Sequence, residues 1–194
     1  MALRSTRSVL VRAPHVKLQL LRRLDDRLAA DLDGLSVASD FGRTLCLAAL
    51  ENVGRGSMFT AAVGAIEVCD AALLDKLMAI AEAEPNARAG LVSAFGWVSE
   101  SSLRGITKAL LESANVFRRD IGLAARAMHQ VDPGPVLASA IAESASQSMG
   151  SALNTVLLDV FINFPLKNRK RPKQRSRDVH RHVARCASIV AAIG

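Results

Sequence analysis

The sequence predicts an all-α protein: an α-solenoid of four to five stacked antiparallel helical hairpins, with a repeat of about 30 residues. Three observations carry this. Aromatic residues are scarce, with one Trp and no Tyr, while Ala and Leu abound. That balance favours helix over sheet, because pleated surfaces are filled by aromatic and β-branched side chains. Apolar residues step by three and four along the chain. Finally, a helix of small residues ending in an acid recurs: "AAVGAIEVCD" closes at Asp70, "GLVSAFGWVSE" at Glu100 and "LAARAMHQVD" at Asp132, at intervals of 30 and 32.

The chain divides into a flexible basic arm over 1–13, a helical repeat domain over 14–164 and a basic tail over 165–194. In "HVKLQLLRRLDDRLAADLDGL", Leu21, Leu24, Leu28, Leu32 and Leu35 line one face of a first helix, with Gly34 as its stop signal. A second helix, about Phe41 to Val53, closes a hairpin and ends at "GRG", Gly54 to Gly56. Each later helix opens on an acid or the Ser beside it: Asp70, Ser101 and Asp132, with Pro133 in the first turn of the last. Such side chains accept bonds from unpaired helix N–H groups, and Pro has no N–H to lose there. Helices of this length cannot bury an apolar stripe alone, so stacked hairpins are the natural way to form a continuous core. Small residues such as Ala61, Ala62, Gly64 and Ala65, or Ala124, Ala125 and Ala127, permit close helix approach.

Half of the 194 residues are apolar, enough for one domain with a real core. The net charge of +7 is unevenly spread. Nine Lys or Arg and one acid, Asp178, lie between Lys167 and Arg185, so Met1 to Leu166 is nearly neutral at −1. Within it, Met1 to Arg23 has six basic residues and no acid, leaving an acidic body. Cys46, Cys69 and Cys186 show neither CxxC spacing nor a secreted-scaffold pattern, so a reducing cytoplasm is expected. No apolar run approaches the roughly 20 residues of a membrane helix, and "MALRSTRSVLVRA" has no secretory core. Its Arg- and Ser-rich composition is also that of organellar transit peptides, but an ordinary N-terminus is the preferred reading.

The segments "RAPHVKLQLLRRLDDRLAADLDGL", "AEAEPNARAGLVSAFGWVSE" and "IGLAARAMHQVDPGPVLASAIAE" resemble a proteobacterial family of HEAT-repeat-like proteins of uncharacterised function. They fall between Arg12 and about Val160. The resemblance implies a shorter form of the HEAT repeat, no catalytic residues, and a link to bacterial secretion machinery, because some members are encoded near type VI secretion genes. Members are generally longer. Where a further repeat is expected, this chain reads "LLDVFINFPLKNRKRPKQRSRDVHRHVARC", which raises the alternative of a truncated or frame-shifted product.

The tail supplies the candidate contacts for an anionic partner: Lys167, Arg169, Lys170, Arg171, Lys173, Arg175 and Arg177. Their attraction for phosphate is non-specific, and neither base-reading groups nor stacking aromatics accompany them, so specific nucleic-acid recognition is not expected. Beyond Pro172, Val179, Val183, Cys186, Val190 and Ile193 form one face of an amphipathic helix over 176–193, opposite Arg177, Arg181 and Arg185. It is suited to covering the last hairpin or to resting on an acidic membrane.

Trp97, beside Phe95, is the candidate protein-interface residue, although filling the gap between hairpins is its more ordinary use. The remaining candidates have structural explanations. His180 and His182 lack a third metal ligand, and His129 finishes a helix. Asp25, Asp26, Asp31 and Asp33 have Arg22, Arg23 and Arg27 within reach, as a salt-bridged solvated face that can still receive a basic partner. Ser93 is not in a GxSxG elbow, Cys46 and Cys69 sit among apolar neighbours on helices, and "GRGS" lacks the Lys of a phosphate loop. No catalysis, cofactor or metal is expected. The leading expectation is a cytoplasmic scaffold for a protein partner; a non-specific anchor for nucleic acid or acidic membrane is a further alternative. Partner identity and oligomeric state carry no signal in the sequence.

Overall fold

A computed structural model describes residues 17–131 together with Thr6, Val9 and Leu10. Among the described residues the regular structure is entirely helical, as the composition predicts. Thr6, Val9 and Leu10 have helical backbone, although they fall in the arm expected to be flexible. No described helix is long and apolar enough to cross a membrane.

Helix α1 (Leu18–Val37) buries Leu28 and half-buries Leu21, Leu24, Leu32 and Leu35, the stripe read from the sequence. Gly34 does not stop it. Glycine lowers helix propensity without forbidding helical dihedrals, so α1 continues to Val37. The break comes at Ser39, whose φ of 50° turns the chain into α2 (Ser39–Ala48) and the 3₁₀ turn Ala49–Glu51. The hairpin closes tightly at Gly42, where a Cβ would stand 2.1 Å from the Leu35 carbonyl oxygen.

Of the expected "GRG" break, only Gly54 lies outside a helix; Arg55 and Gly56 already belong to α3 (Arg55–Glu67). Ser57 makes that start possible, since its Oγ accepts the Gly54 N–H at 2.9 Å. Ten of the 13 residues of α3 are buried, so it is apolar nearly all round and forms the centre of the core. It ends with Cys69 at φ 55°, the Asp70 N–H bonding the Ala65 carbonyl at 2.9 Å and the Cys69 N–H that of Ile66 at 3.2 Å, a Schellman closure.

Asp70 then caps α4 (Ala71–Ala83) as expected, its carboxylate accepting the Leu73 N–H at 3.0 Å. Arg43 of α2 pairs with the same carboxylate at 2.6 Å. Helix α5 (Pro85–Trp97) begins with Pro85 in its first turn and Glu84 as its cap. The next start is corrected: Ser99, not Ser101, accepts the Ser102 N–H, and it opens a 3₁₀ turn, Glu100–Leu103. Gly105, at φ 86°, separates that turn from the short α6 (Ile106–Glu112), a backbone geometry that a residue with a Cβ resists. Asn115 caps α7 (Val116–Met128), which closes as α3 does: Gln130 takes φ 56°, and the Val131 N–H reaches the Arg126 carbonyl at 2.9 Å. Asp132, Pro133 and the helix expected after them lie outside the described residues.

The strongest helix contact joins α3 to α5, next neighbours but one in the chain, and α5 in turn packs on α7. Helix α4 lies against both α3 and α5, and α6 against α7. Phe59, Met58 and Ile66 of α3 meet a core that includes Leu74, Leu77, Leu91, Phe95, Ile106, Leu110 and Ile121, all fully buried. Gly90 sets the approach of α5 to α3, since a Cβ there would fall 2.4 Å from the Arg55 carbonyl oxygen. The α1–α2 hairpin adds much less: among the described side chains, Leu28 is its one large buried residue.

Candidate functional site

The C-terminal end of α7 meets the 3₁₀ turn and the start of α6 around a cavity of about 190 Å³. Its polar lining comes from Glu100, Arg104, Thr107, Arg126 and His129, with Leu103 among its apolar walls. Three local features bring them together. The left-handed Gly105 offsets Arg104 from Thr107, so that the 3₁₀ turn and α6 each contribute to one wall. The closure of α7 at Gln130 turns the chain back and leaves His129 and Val131 at the opposite wall. His129 is then held across the structure: its Nε2–H donates to the Phe95 carbonyl at 2.8 Å, tying the end of α7 to the end of α5.

The chemistry this arrangement offers is polar contact. Thr107 spends its hydroxyl proton on the Leu103 carbonyl at 3.3 Å, and its oxygen retains acceptor capacity. Arg104 is exposed and Glu100 likewise, so the rim carries both signs of charge. His129 has its Nε2 occupied by a main-chain carbonyl, and among the described residues no Ser or Cys lines the cavity with it. The volume is below the roughly 300–1,000 Å³ of pockets that enclose small ligands. Among the described residues, no group of three His, Cys, Asp or Glu side chains converges as a metal site.

A second polar cluster is a clamp between helices. Arg118 of α7 pairs with Asp75 of α4, and the Asn115 amide donates to the Glu82 carboxylate at 3.2 and 3.3 Å. Arg88 of α5 lies 4.9 Å from the Phe117 ring centre and donates to the Glu82 carbonyl at 3.1 Å. These bonds connect α4, α5 and α7 at one edge.

Trp97, the candidate interface residue, is 9% exposed and meets Phe59 edge-on, with ring centres 5.8 Å apart. The ring joins α5 to α3 and is almost wholly covered. The anionic-partner candidates Lys167, Arg169, Lys170, Arg171, Lys173, Arg175 and Arg177 lie outside the described residues, as do His180 and His182. Asp26, Asp31 and Asp33 are exposed on α1 with Arg22, Arg23 and Arg27, while Asp25 is half-buried and engaged. Ser93 donates to the Ala89 carbonyl at 2.6 Å, a bond within its own helix. Cys46 is half-buried on α2, and burial pushes its thiol pKa up. Cys69 is in the turn after α3 and not on a helix, because the Schellman closure needs a left-handed residue there.

His129 was marked by the sequence as a helix-ending residue and occupies that position. Its bond to Phe95 carried no signal, and neither did the gathering of Glu100, Arg104, Thr107 and Arg126. These residues form no motif; the "RG" at Arg104–Gly105 is the only local hint that the chain reverses there. No family model, curated protein or solved structure matches the chain.

Proposed function

We propose that this chain is a non-catalytic helical-repeat scaffold, an α-solenoid of HEAT-like hairpins, that binds another protein along its stacked surface. The supporting observation is the recurrence of one unit. Helices α3, α5 and α7 have 13 residues each, begin at Arg55, Pro85 and Val116, and pack in that order. The spacing of 30 and 31 residues matches the sequence repeat, and two of the three end in the same left-handed closure. Stacked units of this kind owe their use to long, continuous surfaces that accept polypeptides. The cavity beside His129 is one side-chain-sized feature of such a surface. A cytoplasmic location, read from the cysteine spacing, and the association with bacterial secretion machinery, implied by the resemblance, belong to the same proposal.

The test is capture of a protein partner by the full chain, followed by reciprocal capture with the partner as bait. Binding in defined stoichiometry that survives roughly 0.5 M salt and replacement of the seven basic residues from Lys167 to Arg177 by Gln supports the scaffold. Interaction confined to DNA or anionic vesicles, lost under both treatments, refutes it in favour of a basic anchor.

A further inference from the structure

One row of α1 faces solvent along the length of the helix. Arg23, Asp26, Ala30, Asp33 and Val37 succeed one another at spacings of three and four, on the side away from the buried Leu28, and all five are exposed. The charge along it is polarised. Lys17 to Arg27 holds four basic and two acidic residues, a net of +2, whereas Leu28 to Asp40 holds three acids and no base, a net of −3. A lone helix gains from the opposite order, with acids near its N-terminus and bases near its C-terminus. Nor is the charge neutralised within the helix. Arg22 and Arg27 each have an acid one turn later, Asp26 and Asp31, in the weaker order of base before acid, and neither pair forms among the described residues. Exposed apolar side chains stand at the two ends of the row: Leu20, 53% exposed, near the start of α1, and Val37, 86%, and Phe41, 67%, at the turn into α2.

A second copy of this chain supplies the complement of each feature. When two α1 helices run antiparallel and are related by a two-fold axis at the level of Leu28, Arg23 of one copy lies opposite Asp33 of the other, and Asp26 lies opposite the small Ala30. The same register brings Leu20 of each copy to Val37 and Phe41 of the other, so both ends gain apolar cover. A parallel pairing would instead set arginines against arginines and acids against acids. The 20 residues of α1 offer a contact about 30 Å long, at the small end of specific interfaces, so the association should be reversible. We propose that the chain forms a two-fold homodimer in which the outward rows of α1 pair antiparallel, the basic half of each helix against the acidic half of the other. The pairing does not depend on what else the protein binds.

Sedimentation equilibrium of the full chain tests it, over concentrations from about 1 µM to about 1 mM, the span of moderate to weak affinities. The average mass should rise from 20.7 kDa toward twice that value. Arg23→Asp and Asp33→Arg each bring like charges together at two symmetric places, and each should raise the dissociation constant about tenfold or more. The combined variant exchanges the two charges and should return to within about threefold of the wild type, which a general loss of structure could not do. Val37→Lys should also weaken the dimer about tenfold while leaving the urea midpoint unchanged, because that side chain is exposed in the single copy. The proposal is overturned if the chain stays monomeric throughout, which leaves the row to a different protein. It is also overturned if the combined variant is as weak as either single one, or if Val37→Lys dimerises as tightly as the wild type.

Discussion

The closeness of α5 to α3 is the feature on which the core most depends, and Gly90→Ala probes it directly. The new Cβ would stand 2.4 Å from the Arg55 carbonyl oxygen and 3.0 Å from the Met58 Cβ. Ordinary C···O contacts are about 3.3–3.6 Å, so the helices must separate locally by about 1 Å. The atom in the way is backbone in a helix buried nearly all round, which has little room to yield. Overpacking of this kind costs about 1–3 kcal/mol, while replacing Gly by Ala inside a helix returns about 1 kcal/mol of propensity. Because the obstructing atom is backbone, the cost falls in the upper part of that range, about 2–3 kcal/mol, and a net loss of about 1–2 kcal/mol is expected. Gly64→Ala is the control, because that residue is exposed on α3 with nothing within 4 Å of its Cβ position. It should gain up to about 1 kcal/mol. In urea unfolding with an m-value of about 2 kcal/mol/M, Gly90→Ala should lower the midpoint by about 0.5–1 M at unchanged m, and Gly64→Ala should raise it. A Gly90→Ala midpoint equal to or above that of the wild type would refute the close approach.

Three further outcomes follow from single contacts. Asp70→Ala removes both the cap on Leu73 and the partner of Arg43, and should cost about 0.5–2 kcal/mol in chemical denaturation; Asp70→Ser, which keeps a capping oxygen, should recover most of it. Gln130→Gly relieves a left-handed residue at the end of α7 and should stabilise by about 0.5–1 kcal/mol, so a thermal midpoint lower than that of the wild type contradicts the Schellman closure. Trp97 is the sole Trp and is buried, so its fluorescence should be blue-shifted in the native protein and move red on unfolding; a fully solvated native spectrum rules out its packing on Phe59.

The helical class, the α1 stripe and the Asp70 cap were legible because each is decided within a few residues. A carboxylate at Asp70 needs only the N–H of Leu73, and the leucines of α1 share a face through the helical period alone. Glycine misled at Gly34 and Gly56, since its presence permits a break without requiring one, and the surrounding apolar residues kept both inside helices. Ser101 lost the cap to Ser99 because the chain first makes a 3₁₀ turn, and either serine satisfies the local pattern.

By itself, then, the sequence determined that the described residues fold as helices and where most of the charge lies. Only the tertiary structure decided that Trp97 is covered by Phe59, that α5 meets α3 at Gly90, and that Arg104, Thr107 and His129 share a cavity. It also decided which helices share a core and which, like α2 at Phe41 and Leu45, keep an apolar edge exposed. Caps and periods arise from bonds between near neighbours in the chain. Contacts such as His129 to Phe95, 34 residues apart, depend on how whole helices fit against one another, and no short window of sequence contains both surfaces.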